Sequence, residues 1–258
     1  MGQGSRSPTR PIRVLVTGGG TIAPIDDVRQ ITNVSTGSFS AQITEEFLEL
    51  GAEVWHLHTP SAVLPIKRLA QCDLAALAPD AEFARLRALQ ERWNQHAGRL
   101  HLAPLRRGTV AEYAETLRDL LVSQQIDAAM LAMAVSDYEP VPLLGKQSSD
   151  LEQLQIVCTR TPKVIRSVRG WSPDVFLVGF KLMVGVEVPE LIKVAREACR
   201  VNEADLTVAN DLNTLRAGQH TVHVVDPHGS AITLGPTPAP AAGLASLVLE
   251  KLGSSAAK

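Results

Sequence analysis

The sequence of 258 residues is short of aromatic side chains, with five Phe, three Trp and two Tyr. So few rings cannot supply the stacking platforms that hold single-stranded nucleic acid. An excess of charge is also missing: 25 Lys+Arg stand against 27 Asp+Glu, a formal net charge of −2. That balance excludes the strongly basic domain that binds DNA, RNA or an anionic membrane, while leaving room for a local basic pocket. Cysteine is scarce. Cys72, Cys158 and Cys199 are odd in number, far apart and without a C-x-x-C, so neither a disulfide framework nor a zinc ribbon is expected. They are read as reduced and mostly buried, as in a cytoplasmic protein. No apolar run approaches the ~18 residues of a membrane helix. Residues 1–10 lack the apolar stretch of a signal peptide. The histidines, among them His56, His58, His220 and His223, have no spacing of a closed zinc site, so no protein-held metal is expected.

What is present is an α/β rhythm. Hydrophobic residues make up 45% of the chain, enough for a sizeable core. The apolar run 14–16 breaks into Gly18-Gly19-Gly20, as a buried strand entering a loop would. Helical spacing over 38–50 ends at Gly51, and strands are expected at 53–58, 100–105, 128–135, 154–160, 175–180 and 206–209. Helices are expected at 74–96, 109–123, 162–171, 189–202 and 241–252, with an edge hairpin at 221–225 and 231–234. The alternation predicts a Rossmann-like α/β fold, a mostly parallel sheet with helices on both faces. Residues 13–252 are expected to form a single domain, flanked by a disordered tail at 1–12 and a short tail at 253–258. Residues 138–150, with Pro140, Pro142, Gly145 and Ser148-Ser149, interrupt the rhythm and read as a flap.

The segment Thr17-Gly18-Gly19-Gly20-Thr21 fits several chemistries. Glycines after a buried strand let the backbone approach a phosphate, whose charge helix N–H groups can hold. A nicotinamide-dependent reductase would need a carboxylate at the end of the second strand, where this chain has Trp55-His56-Leu57-His58-Thr59. Thr-Gly-Gly-Thr-Ile also resembles the nucleophile motif of bacterial-type asparaginases, with Thr21 as the attacking hydroxyl. The Gly-Thr-Asp run of that family is absent.

A third resemblance covers most of the chain. Val16 to Thr21, then Pro24-Ile25-Asp26-Asp27-Val28-Arg29, then Asn33-Val34-Ser35-Thr36-Gly37 resemble the opening of phosphopantothenate–cysteine ligases. Ala134-Val135-Ser136-Asp137-Tyr138, Gly145-Lys146-Gln147-Ser148-Ser149, Thr161-Pro162-Lys163, Val178-Gly179-Phe180 and Val208-Ala209-Asn210-Asp211 resemble the later blocks, in family order. The resemblance implies a stand-alone, homodimeric ligase. It would join 4′-phosphopantothenate to cysteine with CTP or ATP through an acyl-nucleotidyl intermediate, with Mg²⁺ accompanying the nucleotide. A catalytically silent nucleotide-binding relative is the alternative from outside enzymology.

Site roles follow from the same resemblance. Asn33 would orient the acyl intermediate, its bland reading being an Asx-turn or helix cap. Lys146 would swing over the triphosphate. Gly18, Gly19, Gly20, Thr21, Ser35, Thr36, Gly37, Asp137, Lys163, Phe180 and Asn210 would line the nucleotide. Arg29, Asn33, Asp137 and the backbone of Met133 and Ala134 would hold phosphopantothenate, with Arg29 reaching across a dimer interface. Bacterial fused forms carry a lysine pair where this chain has Ala198 and Asn202, and Lys193, Arg196 or Arg200 are the candidates to replace it.

Overall fold

The computed structural model describes residues 10–146, 152–237 and 239–255. Its first strand, β1 (Arg13–Gly18), is buried along Val14, Leu15 and Val16 and lies third from one edge of an eight-stranded sheet. From β1 the chain moves outward through β4 (Glu53–His58) to β5 (Leu100–Pro104), both parallel to it. It then returns to the other side of β1 through β6 (Ala128–Leu131), β9 (Phe176–Met183) and β10 (Leu206–Asp211), again parallel. The edge is the expected hairpin, β11 (Val222–Val225) and β12 (Ala231–Leu234), antiparallel to β10 and to each other. The order reverses between β1 and β6. In open α/β sheets ligands bind at the C-terminal strand ends beside such a switch point.

Period-two burial divides the strand residues between two cores. Val14, Val16, Val54, Met130, Val178 and Val208 pack with α1 (Ser38–Glu49) and α7 (Pro240–Ser255). Leu15, Leu57, Ala129 and Leu177 face the other way, toward α3 (Val110–Ser123) and α4 (Val168–Trp171). On that second face α5 (Val188–Val201) packs Leu191 and Ala195 against Ala209 and Val225. The helix α2 (Pro79–His96) crosses outside α1, tied to it where Arg92 bonds Glu45 and Glu49. Thr109 caps α3 by accepting from the Glu112 N–H, and the Glu112 carboxylate accepts from the N–H groups of Arg106, Arg107 and Gly108.

Several expectations need correction. Residues 154–160 do not join the main sheet. Only β8 (Cys158–Arg160) is a strand, and it pairs antiparallel with β7 (Tyr138–Pro140) in a separate ribbon. A second ribbon, β2 (Ile22–Pro24) with β3 (Gln30–Thr32), and the short α6 (Leu212–Arg216) had no sequence signal. Residues 162–171 form a 3-10 turn and the four-residue α4 instead of one helix. Within the segment expected as a tail, the Arg10 guanidinium grips Asp127 through two bonds of 2.7 and 2.8 Å. At the other end α7 continues to Ser255, through the first residues of the expected tail. Cys72 and Cys158 are exposed, leaving Cys199 as the buried thiol.

Candidate active site at the switch point

The loop after β1 is drawn onto the segment after β6. Ala134 donates its N–H to the Gly19 carbonyl at 2.9 Å and accepts from the Thr21 N–H at 3.0 Å. Gly20 and Ala134 form a parallel bridge beyond the strand ends. Two glycines are indispensable for this closeness. Gly19 has φ +92, and a Cβ there would fall onto Thr59 Oγ1. A Cβ on Gly20 would lie 2.5 Å from the Asn33 carbonyl oxygen.

Asn33 enters the same knot from the other side. Its Nδ2 donates to the Ala134 carbonyl at 3.0 Å, while its own carbonyl accepts from the Ser35 N–H at 2.9 Å. Thr36 Oγ1 accepts from the Ser38 N–H at 3.3 Å, and Gly37, with φ 74, is the N-cap of α1. The helix therefore begins beside the glycine loop without a side-chain cap, presenting N–H groups and the positive end of its dipole. Gly18, Gly19, Gly20, Asn33, Ser35, Thr36 and Gly37 are thus gathered in one place.

Other expected ligands are used by the fold itself. Thr21 is fully buried: its hydroxyl accepts from the Ser136 N–H at 2.9 Å, and its carbonyl accepts from Thr32 Oγ1 at 3.1 Å. A hydroxyl so enclosed is a structural tie, which removes both a side-chain contact to nucleotide and the asparaginase-like role. The Met133 N–H donates to Thr17 Oγ1 at 3.1 Å, and both Ala134 backbone groups serve the loop contacts above. Beneath them, Tyr113 is wholly buried and its hydroxyl, bonded to Thr17, is pushed up to about 12 by desolvation.

Asp137 and Lys163 are both exposed and form an ion pair at the rim. Lys146 is exposed and follows a segment docked on the β2–β3 turn, where the Gly145 N–H donates to Asp27 at 3.1 Å and the Leu143 N–H to the Ile25 carbonyl at 3.0 Å. Gln147, Ser148 and Ser149 lie outside the described residues. Arg29 does not project freely: it forms an ion pair with the buried Asp26 at 2.9 Å, and Asp26 also accepts from the Val28 and Arg29 N–H groups.

Phe180, midway along β9, packs at 77° to Phe39 with ring centroids 6.2 Å apart. His220 meets the same Phe39 ring at 4.5 Å. Asn210 sits one strand over, at Leu182 of β9 in the pairing register. Phe39 and His220 were missed; an aromatic in the first turn of the helix that starts at the glycine loop is the signal that could have found the former. The basic residues of α5 point elsewhere. Arg196 and Arg200 bond the carbonyls of Gly229 and Pro227 in the β11–β12 turn, and Lys193 pairs with Glu190. That turn follows Val225, which pairs with Thr207 at the start of β10, so it lies at the sheet edge opposite the glycine loop.

Under the loop, His56 is buried with Nδ1 2.8 Å from the Thr44 hydroxyl. Desolvation, aided by neighbouring His58, holds its pKa down to about 3. The neutral imidazole packs below Gly18 and keeps that floor uncharged.

A six-stranded parallel core ordered 3-2-1-4-5-6, with a glycine loop and a helix start at its switch point, is the Rossmann-type arrangement in which phosphate-bearing ligands are commonly bound. The family model described as the DNA/pantothenate metabolism flavoprotein C-terminal domain matches residues 10–78 and 106–251, and the chain belongs to that family. It is 32% identical over 213 residues, 83% of this chain and 44% of the relative, to the coenzyme A biosynthesis bifunctional protein CoaBC of Thermococcus kodakarensis. It is 30% identical to phosphopantothenate–cysteine ligase 1 of Arabidopsis thaliana, covering 78% of this chain and 69% of the relative. Among solved structures, the DNA/pantothenate metabolism flavoprotein from Streptococcus pneumoniae superposes with TM-score 0.72 at 28% identity, covering 95% of this chain and 99% of that one. The chain spans less than half the length of the bifunctional relatives it matches.

Proposed function

We propose that the chain is a phosphopantothenate–cysteine ligase of coenzyme A biosynthesis, working in the cytoplasm with CTP or ATP. The observation that carries the reading is Asn33, locked to Ala134 between the glycine loop and the start of α1. The carboxylate of 4′-phosphopantothenate attacks the α-phosphorus of the nucleotide, releasing pyrophosphate and leaving an acyl-nucleotidyl anhydride. The cysteine amine then attacks the acyl carbon, the amide forms and the nucleoside monophosphate leaves. Such chemistry requires positioning and charge stabilisation in place of a side-chain nucleophile.

An asparagine suits both steps, since its amide donates and accepts without repelling phosphate. Asn33 orients the acyl group and stabilises the oxyanion of the second step. The glycine loop, Ser35, Thr36 and the first N–H groups of α1 receive nucleotide phosphates. Lys163, exchanging Asp137 for phosphate, and Lys146 offset charge in the first step, while Phe180 and Asn210 flank the nucleoside. Mg²⁺ bound with the triphosphate would supply further neutralisation of phosphate charge beside Lys146 and Lys163.

The working unit in this reading is a homodimer. Val28, Ile31, Val34, Val141, Leu144 and Val157 stand exposed on and around the two ribbons, an apolar surface that a second copy would cover. Arg29, held at its turn by Asp26, would then reach the partner's phosphopantothenate.

Pyrophosphate release, followed with phosphopantothenate and each nucleotide, tests the reading. Release that depends on phosphopantothenate supports it. Nucleotide binding without release would instead mark a silent relative.

A further inference from the structure

The helix α2 is poorly covered for its length. Of its 18 residues only His96 is buried, while Leu86, Leu89 and Trp93 give it a half-buried inner side. The outer side presents Asp80, Phe83, Ala84, Arg87, Ala88 and Glu91 in one continuous exposed stripe. Phe83 is 59% exposed there, and Leu74 and Leu77 just before the helix are fully exposed. The family model passes over residues 79–105, so this face is an addition to what the family model describes.

The outer side is complementary to itself. Two copies of α2 laid antiparallel about a twofold axis between Phe83 and Ala84 bring Asp80 opposite Arg87 of the second copy. The relation repeats on the other side of the axis, as an isologous contact requires. In the same register each Phe83 ring meets the small Ala84 and Ala88 of the other copy, a knob entering a groove.

We propose that the outer face of α2 is a self-association surface, pairing two copies of this chain antiparallel through Phe83 and reciprocal Asp80–Arg87 contacts. It shares no residue with the ribbon surface above, so the two contacts together would join dimers into a tetramer. Contact through one helix face is smaller than the ~800 Å² per partner of a stable interface, so the association depends on concentration.

Sedimentation velocity from about 1 to 200 µM, a range that brackets micromolar affinity, tests the proposal. The wild-type mass is expected to double across the range. Asp80→Arg and Arg87→Asp, each alone, place like charges in both reciprocal contacts and abolish the doubling. An equimolar mixture of the two variants makes every facing pair opposite in sign, and doubling returns as a mixed species. That recovery separates lost association from misfolding and does not depend on any enzymatic activity. A wild-type mass that stays constant with concentration overturns the proposal. Doubling in either single variant, or failure of the mixture to associate, overturns the register.

Discussion

The side chain of Asn33 donates a hydrogen bond to the carbonyl oxygen of Ala134 at 3.0 Å, across 101 positions of sequence. The same oxygen accepts from the Thr21 N–H, so one carbonyl fixes both the glycine loop and the amide beside it. Pinning one N–H leaves the carbonyl end of that amide directed away from Ala134. The switch point therefore presents an oriented amide, with little rotamer freedom left to lose when a ligand arrives.

Asn33→Ala is expected to uncouple the two half-reactions. A first turnover of pyrophosphate should survive, while amide formation falls by about 10²–10³-fold, the range for removing one oxyanion donor. Rapid-quench measurement of both products checks this. Equal loss of both would place Asn33 in substrate binding alone.

Gly20→Ala should displace the same residue while leaving its amide side chain chemically intact. The new methyl meets backbone, the Asn33 carbonyl at 2.5 Å, so the loop must move. A stability loss of about 1–3 kcal/mol is expected from such overpacking, with a fall in kcat of roughly 10²-fold if Asn33 shifts by an ångström. Gly98→Ala, with nothing within 4 Å, is the matched control and should leave activity unchanged. Thermal melts and steady-state rates of both variants decide it.

Lys146→Gln should slow the first half-reaction. Loss of a charge that acts only on the triphosphate would lower the single-turnover rate of pyrophosphate release by about 10²-fold. The rate from preformed acyl-nucleotide to amide should not change. An unaltered release rate would contradict its role.

Stability should fall as the solution becomes acidic through His56. Its folded pKa, about 3, lies below the ordinary 6.5, so the unfolded chain binds the extra proton between those values. Folding free energy is therefore intact above pH 6.5 and lost as pH decreases below it, by about 1.4 kcal/mol at one unit lower from this group alone. Burial also lowers His220 and His223, adding loss of the same sign. Urea unfolding at pH 7.5 and 5.5 measures it, and His56→Gln should show a smaller difference than the wild type.

Much of the frame was legible because its signals are local. The strand at 53–58 sets Val54, Trp55 and Leu57 just after the helix stop at Gly51, and Thr109 stands at the start of α3 as a cap that needs only a few neighbours. The β2–β3 ribbon was illegible for the converse reason. Its strands have three residues each, and the Asp26 turn that joins them is held by bonds no hydrophobic period reports. At the site, the motifs located the glycine loop, Asn33 and the start of α1. They could not distinguish Thr21 as a buried tie from Thr21 as a ligand, because its partners, Ala134 and Ser136, arrive from another strand. Arg196 and Arg200 had suitable charge and the wrong end of the helix, which only the strand register exposes.

The most direct measurement is the product itself. Purified protein incubated with 4′-phosphopantothenate, cysteine and Mg²⁺, together with CTP in one reaction and ATP in another, should yield phosphopantothenoylcysteine detectable by mass. Formation of that amide with at least one nucleotide, absent when the nucleotide is omitted, is the result the account predicts. Its absence with both nucleotides, from protein shown to be folded, would contradict the account.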